Sequence, residues 1–147
     1  MTYANDVTAA IGHTPLVKIN RMLPAGIGAN VLAKMEFMNP GGSVKDRPGL
    51  AIIRAAEASG ELQPGGTIVE ATSGNTGVAL CMVGAALGYR VVISMPSSMS
   101  VERRQLMKAY GAELLLTDPA GGMAAAVEAA EDLSLIHISE PTRLLSI

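Results

Sequence analysis

Lys45 stands in the stretch NPGGSVKDR (39–47), where two glycines and a serine precede a lysine at the start of a helical pattern. A helix N-terminus already carries positive partial charge and disfavours an ammonium there. Partial burial would penalise that charge further, and both effects favour the neutral amine. A neutral amine attacks carbonyls to make Schiff bases, so Lys45 is a candidate catalytic residue. The competing reading is a lysine that extends into water or pairs with Asp46. A second stretch, EATSGNTG (70–77), combines Gly74 and Gly77, which allow close backbone approach, with the short polar side chains of Thr72, Ser73, Asn75 and Thr76. Beside the free N–H groups of a helix start, such a turn suits a carboxylate or a phosphate. It can equally be ordinary helix capping.

An alternation of strand and helix patterns positions these residues. LVKI (16–19) and VLAKM (31–35) read as short extended segments separated by a loop with Pro24, Gly26 and Gly28. A helix is predicted from about Val44 to Ser59, with Ser43 as its N-cap, Pro48 in the first turn and Gly60 as the stop. TIVEA (67–71), RVVISM (90–95) and AELLLT (112–117) read as strands. Helices follow them to about Gly88, over about 100–110, and near 123–132. Such βαβ units require a parallel sheet with right-handed crossovers. Aliphatic strands without alternation imply burial on both faces. The expected fold class is α/β, an open parallel sheet with helices on both faces. Ligands of such sheets sit outside the carboxyl ends of the strands, where EATSGNTG lies.

The 147 residues suffice for one core-bearing domain, and 49% hydrophobic against 16% charged residues argues against disorder. Eleven basic and 13 acidic residues are scattered, for a net charge of -2, so there is no electrostatic case for nucleic acid or an anionic membrane. The single cysteine, Cys81, excludes an internal disulfide and reads as a small core residue in a helix. The longest apolar stretch, Gly77 to Tyr89, is too short to span a bilayer. The start lacks a secretory pattern, and the expected location is the cytoplasm. His13 and His137 have no ligating cluster around them, so no metal site is expected. Arg103 and Arg104, with Glu102, read as a solvated helix face.

Taken together, GHTPLV (12–17), NPGGSVKDR (39–47), EATSGNTG (70–77) and MSVERRQLMKAYGAE (99–113) resemble the cysteine synthase family, the O-acetylserine sulfhydrylase group of fold-type II pyridoxal-phosphate enzymes. The likeness covers about residues 11 to 132 and implies a tryptophan synthase β-like architecture, here incomplete. By that resemblance, Lys45 matches the lysine that holds pyridoxal 5'-phosphate and moves the substrate's α-proton. Asn75 matches the asparagine that hydrogen-bonds the cofactor's ring hydroxyl. Thr72, Ser73, Asn75 and Thr76 match the loop that clasps the amino acid's carboxylate. The implied reaction replaces the acetate of O-acetylserine with sulfide to give cysteine. The implied partners are those small molecules, a second copy of the chain, and in some members serine acetyltransferase. Cystathionine β-synthase and serine/threonine dehydratases share related loops and are the enzymatic alternatives. A non-catalytic α/β binding module, taking a nucleotide at SGNTG, is the other class, although no G-x-G-x-x-G opens a helix here.

Family members are about twice this long, and their second half supplies the loop around the cofactor phosphate. The expectation is therefore a truncated, inactive cysteine synthase in three parts. Residues 1–40 would pack on a second domain, 41–133 form the small α/β domain, and 134–147 are a non-native tail. The string SLIHISEPTRLLSI resembles a translated sequencing adapter and is set aside.

Overall fold

The structure is a computed structural model that describes residues 3–24, 26–136 and 142–144. Its main sheet is parallel, in the order β5-β4-β3-β6. The strands are β3 (Thr67–Ala71), β4 (Arg90–Pro96), β5 (Glu113–Thr117) and β6 (Thr142–Leu144). The β3–β4 register pairs Ile68 with Val91 and Ala71 with Ser94, and β4–β5 pairs Ser94 with Leu115. β1 (Leu16–Lys18) and β2 (Leu32–Lys34) form a separate antiparallel pair.

Helices cover both faces of the parallel sheet, as the strand composition requires. On one face, Ile68, Val91, Ile93 and Met95 pack with residues of α1 (Asp46–Ser59), α2 (Asn75–Leu87) and α3 (Val101–Ala109). On the other, Val69 and Val92 pack with Ala130 of α4 (Gly122–Ile136). The alternation of Ile68/Val69 and Val91/Val92 between the two clusters is the period-2 pleat of strands buried on both sides.

Each helix carries the burial its sequence dictates. In α1, Asp46, Gly49, Ile53 and Ala56 are buried, a spacing of three and four residues that makes one face. In α2 every residue from Gly77 to Val83, and Gly84, is buried. That fits a helix apolar all round, here enclosed between β4 and α1. Gly49 lies against Ala79: a Cβ there would be 3.1 Å from the alanine methyl. Gly49 is one turn past Lys45 and Ala79 one turn past Asn75, and both helices run back along the sheet. Their starts therefore open at the same edge.

Two boundaries differ from expectation. Helix α1 begins at Asp46, with Lys45 as its N-cap residue and no side-chain cap, instead of at Val44. Ser43 Oγ accepts from the Lys45 N–H (3.1 Å) and closes a turn before the helix. The carboxyl end of α4 runs past 132 to Ile136. The N-terminal segment is joined to this sheet: Val7 and Ile11 pack against the core of α1 and α2. By contrast β1 and β2 leave Leu16 and Leu32 more than half exposed.

Candidate active site

Three segments distant in sequence meet around Lys45. The Arg47 guanidinium grips Glu36 with two bonds, Nε to Oε2 (2.8 Å) and Nη2 to Oε1 (3.0 Å). Nη2 also donates to the Gly12 carbonyl (2.8 Å) and to Thr14 Oγ1 (3.1 Å). Thr14 Oγ1 donates in turn to Glu36 Oε1 (2.9 Å). Buried Asn39 completes the clasp. Its Nδ2 donates to the carbonyls of Glu36 (2.8 Å) and Ser43 (3.0 Å) and to Glu36 Oε2 (2.8 Å), while its Oδ1 accepts from the Gly12 N–H (2.9 Å). The Lys34 ammonium donates to the Thr14 carbonyl. Arg47, with help from Asn39 and Thr14, holds the Glu36 carboxyl down to about 2.

The two glycines of NPGGSVKDR have separate causes. Asp46 is fully buried, and its Oδ2 accepts from the Gly41 N–H at 2.5 Å. A Cβ on Gly41 would lie 2.5 Å from Asp46 Oδ1, so only a hydrogen fits. Gly42 has φ +80°, a left-handed conformation that favours glycine, and open space around it. Burial pushes the Asp46 carboxyl up; the Gly41 amide opposes this, and the nearby Glu36 adds to it. The result is a turn closed from inside, with half-buried Lys45 at its exit. Among the described residues, no hydrogen bond or ion pair takes Lys45 Nζ.

The second loop is built the opposite way. The Thr72 N–H donates to the Ser94 carbonyl (3.1 Å), which fixes the loop to β4. Gly74 caps α2 without a side-chain hydrogen bond, so the first amides of the helix are left open. Thr72 Oγ1 accepts from the Gly74 N–H at 3.3 Å. The side chains of Ser73, Asn75 and Thr76 make no hydrogen bond among the described residues. Just upstream on β3, Glu70 is buried with Oε2 unpaired, and burial pushes its carboxyl up to about 7.

Lys45, Thr72, Ser73, Asn75 and Thr76 thus lie on two loops at the starts of two helices packed side by side. Sequence reasoning missed Asn39, Asp46, Arg47, Glu36 and Thr14 as the frame of the lysine loop. Arg103 is exposed, in keeping with the solvated face read from the sequence, and from there its Nη1 donates to the Ser73 carbonyl (3.0 Å); Arg104 is half-buried, with its Nε enclosed. The placement of Arg103 between surface charges gave no signal of this. Cys81 is a core residue, 1% exposed, with its thiol pushed up to about 12 by burial. His13 is exposed, and no cluster of potential metal ligands occurs among the described residues. No helix among them is long and apolar enough to cross a membrane.

The family model described as "Pyridoxal-phosphate dependent enzyme" matches residues 7–141. The chain belongs to the pyridoxal-phosphate dependent enzyme family. Within it, a cysteine synthase of Staphylococcus aureus is 50% identical over 133 residues, which are 90% of this chain and 43% of the relative. The solved cysteine synthase of Entamoeba histolytica superposes with a TM-score of 0.89 at 42% identity, over 97% of this chain and 43% of that one. An O-ureido-L-serine synthase structure gives 0.86 at 46% identity, over 92% and 42%. The chain therefore spans less than half the length of these pyridoxal-phosphate dependent relatives.

Proposed function

We propose that the complete protein containing this chain is a cysteine synthase, in which hydrosulfide replaces the acetate of O-acetylserine to give cysteine. One observation carries the reading. In two packed loops the side chains of Thr14, Glu36, Asn39 and Arg47 are bonded to one another, whereas Lys45 Nζ and the side chains of Ser73, Asn75 and Thr76 have no partner among the described residues. Groups left unpaired at adjoining helix starts are groups available to a ligand.

The residues present fit pyridoxal 5'-phosphate. An amine without an ion pair suits covalent attachment to an aldehyde, and space is open around Gly42 and Gly74. When bound, the cofactor supplies a ring that withdraws electrons from the amino acid's Cα. Lys45 would hold it and carry the proton to and from that Cα. Asn75 would donate to the ring hydroxyl. Thr72, Ser73, Asn75 and Thr76, with the first N–H groups of α2, would take the carboxylate.

Borohydride reduction after mixing the completed protein with pyridoxal phosphate tests this, with peptide mass spectrometry as the readout. A pyridoxyl adduct on Lys45 is expected; its absence would defeat the proposal in favour of a binding module. Assays with O-acetylserine plus sulfide, serine plus homocysteine, and threonine then separate cysteine synthase from cystathionine β-synthase and dehydratases.

The 147-residue chain alone is proposed to be inactive, and steady cysteine formation by it would refute that. A homodimer, docking of serine acetyltransferase and a cytoplasmic location are part of the same proposal. So are the packing of residues 1–40 on a second domain and the non-native origin of 134–147. The pairing of Thr142–Leu144 with β3 bears on neither side of the last point, because any chain without proline can satisfy an open strand edge through its backbone. Re-amplification of the source DNA across Ser134 decides it.

A further inference from the structure

From the contact between α3 and the SGNTG loop we infer that Arg103 is a positioning residue: it fixes the orientation of the Ser73–Gly74 peptide and so sets how the start of α2 meets a carboxylate. The inference rests on the carboxylate reading of that loop given above.

Arg103 Nη1 donates to the Ser73 carbonyl at 3.0 Å. A peptide unit is planar and trans, so the Ser73 C=O and the Gly74 N–H point in opposite directions. Holding the oxygen toward α3 therefore aims the N–H the other way. Without the guanidinium little would hold that plane. Gly74 has nothing within 4 Å of where a Cβ would stand, and its own N–H bond to Thr72 Oγ1 is long, at 3.3 Å. Glycine also crosses between backbone basins easily.

Helix α3 is anchored well enough to serve as the fixed point. Ser100 Oγ accepts from the Arg103 N–H (3.3 Å), capping the helix beneath the guanidinium. Met107, one turn on and fully buried, packs against Gly77: a Cβ there would lie 2.8 Å from its Cε. The helix thus touches the loop at two points, the Ser73 carbonyl and Gly77. A lysine in place of Arg103 would keep the charge but lose the planar fork that holds a carbonyl in one direction.

The test uses the isotope-labelled 147-residue chain with Arg103→Gln, Arg103→Lys and, as a charge-matched control on the same helix, Lys108→Gln. Backbone relaxation should show the Gly74 amide order parameter falling from about 0.85 to below about 0.6 in Arg103→Gln. Arg103→Lys should recover part of it, and Lys108→Gln should match the parent. Titration with acetate, followed at residues 73–76, should weaken about threefold to tenfold in Arg103→Gln, the worth of one lost hydrogen bond. An unchanged Gly74 order parameter in Arg103→Gln, or an equal fall in Lys108→Gln, overturns the inference. Acetate binding to none of the proteins would defeat the carboxylate reading of the loop, while the order parameters still decide the role of Arg103.

Discussion

Residues 36–47 and residues 72–77 lie at neighbouring helix starts, yet they reach order by opposite routes. The first region ties four polar side chains from three segments into one network, Thr14, Glu36, Asn39 and Arg47, and closes the turn between them with Asp46 on the Gly41 N–H. The second keeps three short polar side chains unbonded and is held by one backbone contact to β4 and one guanidinium from α3. The carboxylates show the same divide. Glu36 is paired and held down to about 2, whereas Glu70 is buried, with Oε2 unpaired among the described residues, and rises to about 7. The contrast sorts the residues of a shared motif into those that build the frame and those that stay available. In the lysine loop Lys45 Nζ is left over beside frame residues, and so is the buried Asp46 Oδ1.

Breaking the frame should cost the most. Asn39 is 4% exposed and bridges Gly12, Glu36 and Ser43. Asn39→Ala removes four hydrogen bonds, of which the one on Glu36 Oε2 is backed by another from Arg47, and should lower stability by about 3 kcal/mol, at about 1 kcal/mol for each of the other three. Urea titration of the variant and parent measures it. Gly41→Ala drives a methyl to within 2.5 Å of the Asp46 carboxylate. A cost of about 2 kcal/mol is expected from overpacking, and Gly42→Ala would be strained by its φ of +80° without any such clash.

The frame was only partly legible in the sequence. Strands and helices were, because hydrophobic runs and the glycines and serines that bound them act locally: β3, β4 and α2 fall within a residue or two of where TIVEA, RVVISM and SGNTG place them. Lys45 stood out locally, as an unusual type at a helix start, and Asn75 as one of several short polar side chains in a glycine turn and by the family resemblance. The clasp was not legible, because Arg47 reaches Gly12 across 35 positions and no periodicity records such a bond. Arg103 hid its contact with Ser73 for a related reason. It sits among Glu102, Arg104 and Lys108 on a helix with one buried residue, so its pattern is that of a solvated face. Asp46 shows the opposite trap, since beside Lys45 it reads as that lysine's partner when here it closes the preceding turn.

The two carboxylates carry the contrast into pH. Glu36 has a folded value of about 2 against an ordinary 4.5, so its contribution is full above about 4.5 and is lost as pH falls toward 2. Glu36→Gln should flatten that acid limb. Glu70 runs the other way. Between about 4.5 and 7 the unfolded chain releases its proton while the folded chain keeps it, so stability declines as pH rises across that window and levels off above it. Glu70→Gln should remove a decline on the order of 2 kcal/mol: each tenfold change in proton affinity is worth about 1.4 kcal/mol, and solvent screening at the site reduces the total. Stability measured at about pH 2.5, 4.5 and 7.5 for the parent and both variants would show a rise up to 4.5 from Glu36 and a decline above it from Glu70, each erased by its own substitution. Loss of both slopes in either single variant would mean that the two regions titrate as one.

Stability should change least at a residue proposed to contact the cofactor. Asn75 is exposed, opens α2, and its side chain bonds nothing among the described residues. Asn75→Ala therefore removes no internal hydrogen bond and replaces a weak helix former with a strong one, so the folding free energy should move by less than about 0.5 kcal/mol in either direction. Asn39→Ala, a like truncation only in the other region, should cost several times more. Ligand binding should reverse the order. In the completed protein, Asn75→Ala should weaken retention of pyridoxal phosphate about tenfold or more, the effect of deleting a hydrogen bond in a desolvated site. If Asn75→Ala instead destabilised the chain by as much as Asn39→Ala, the side chain would be part of the frame. The division between bonded scaffold and unbonded site would then fail at a residue of the proposed site.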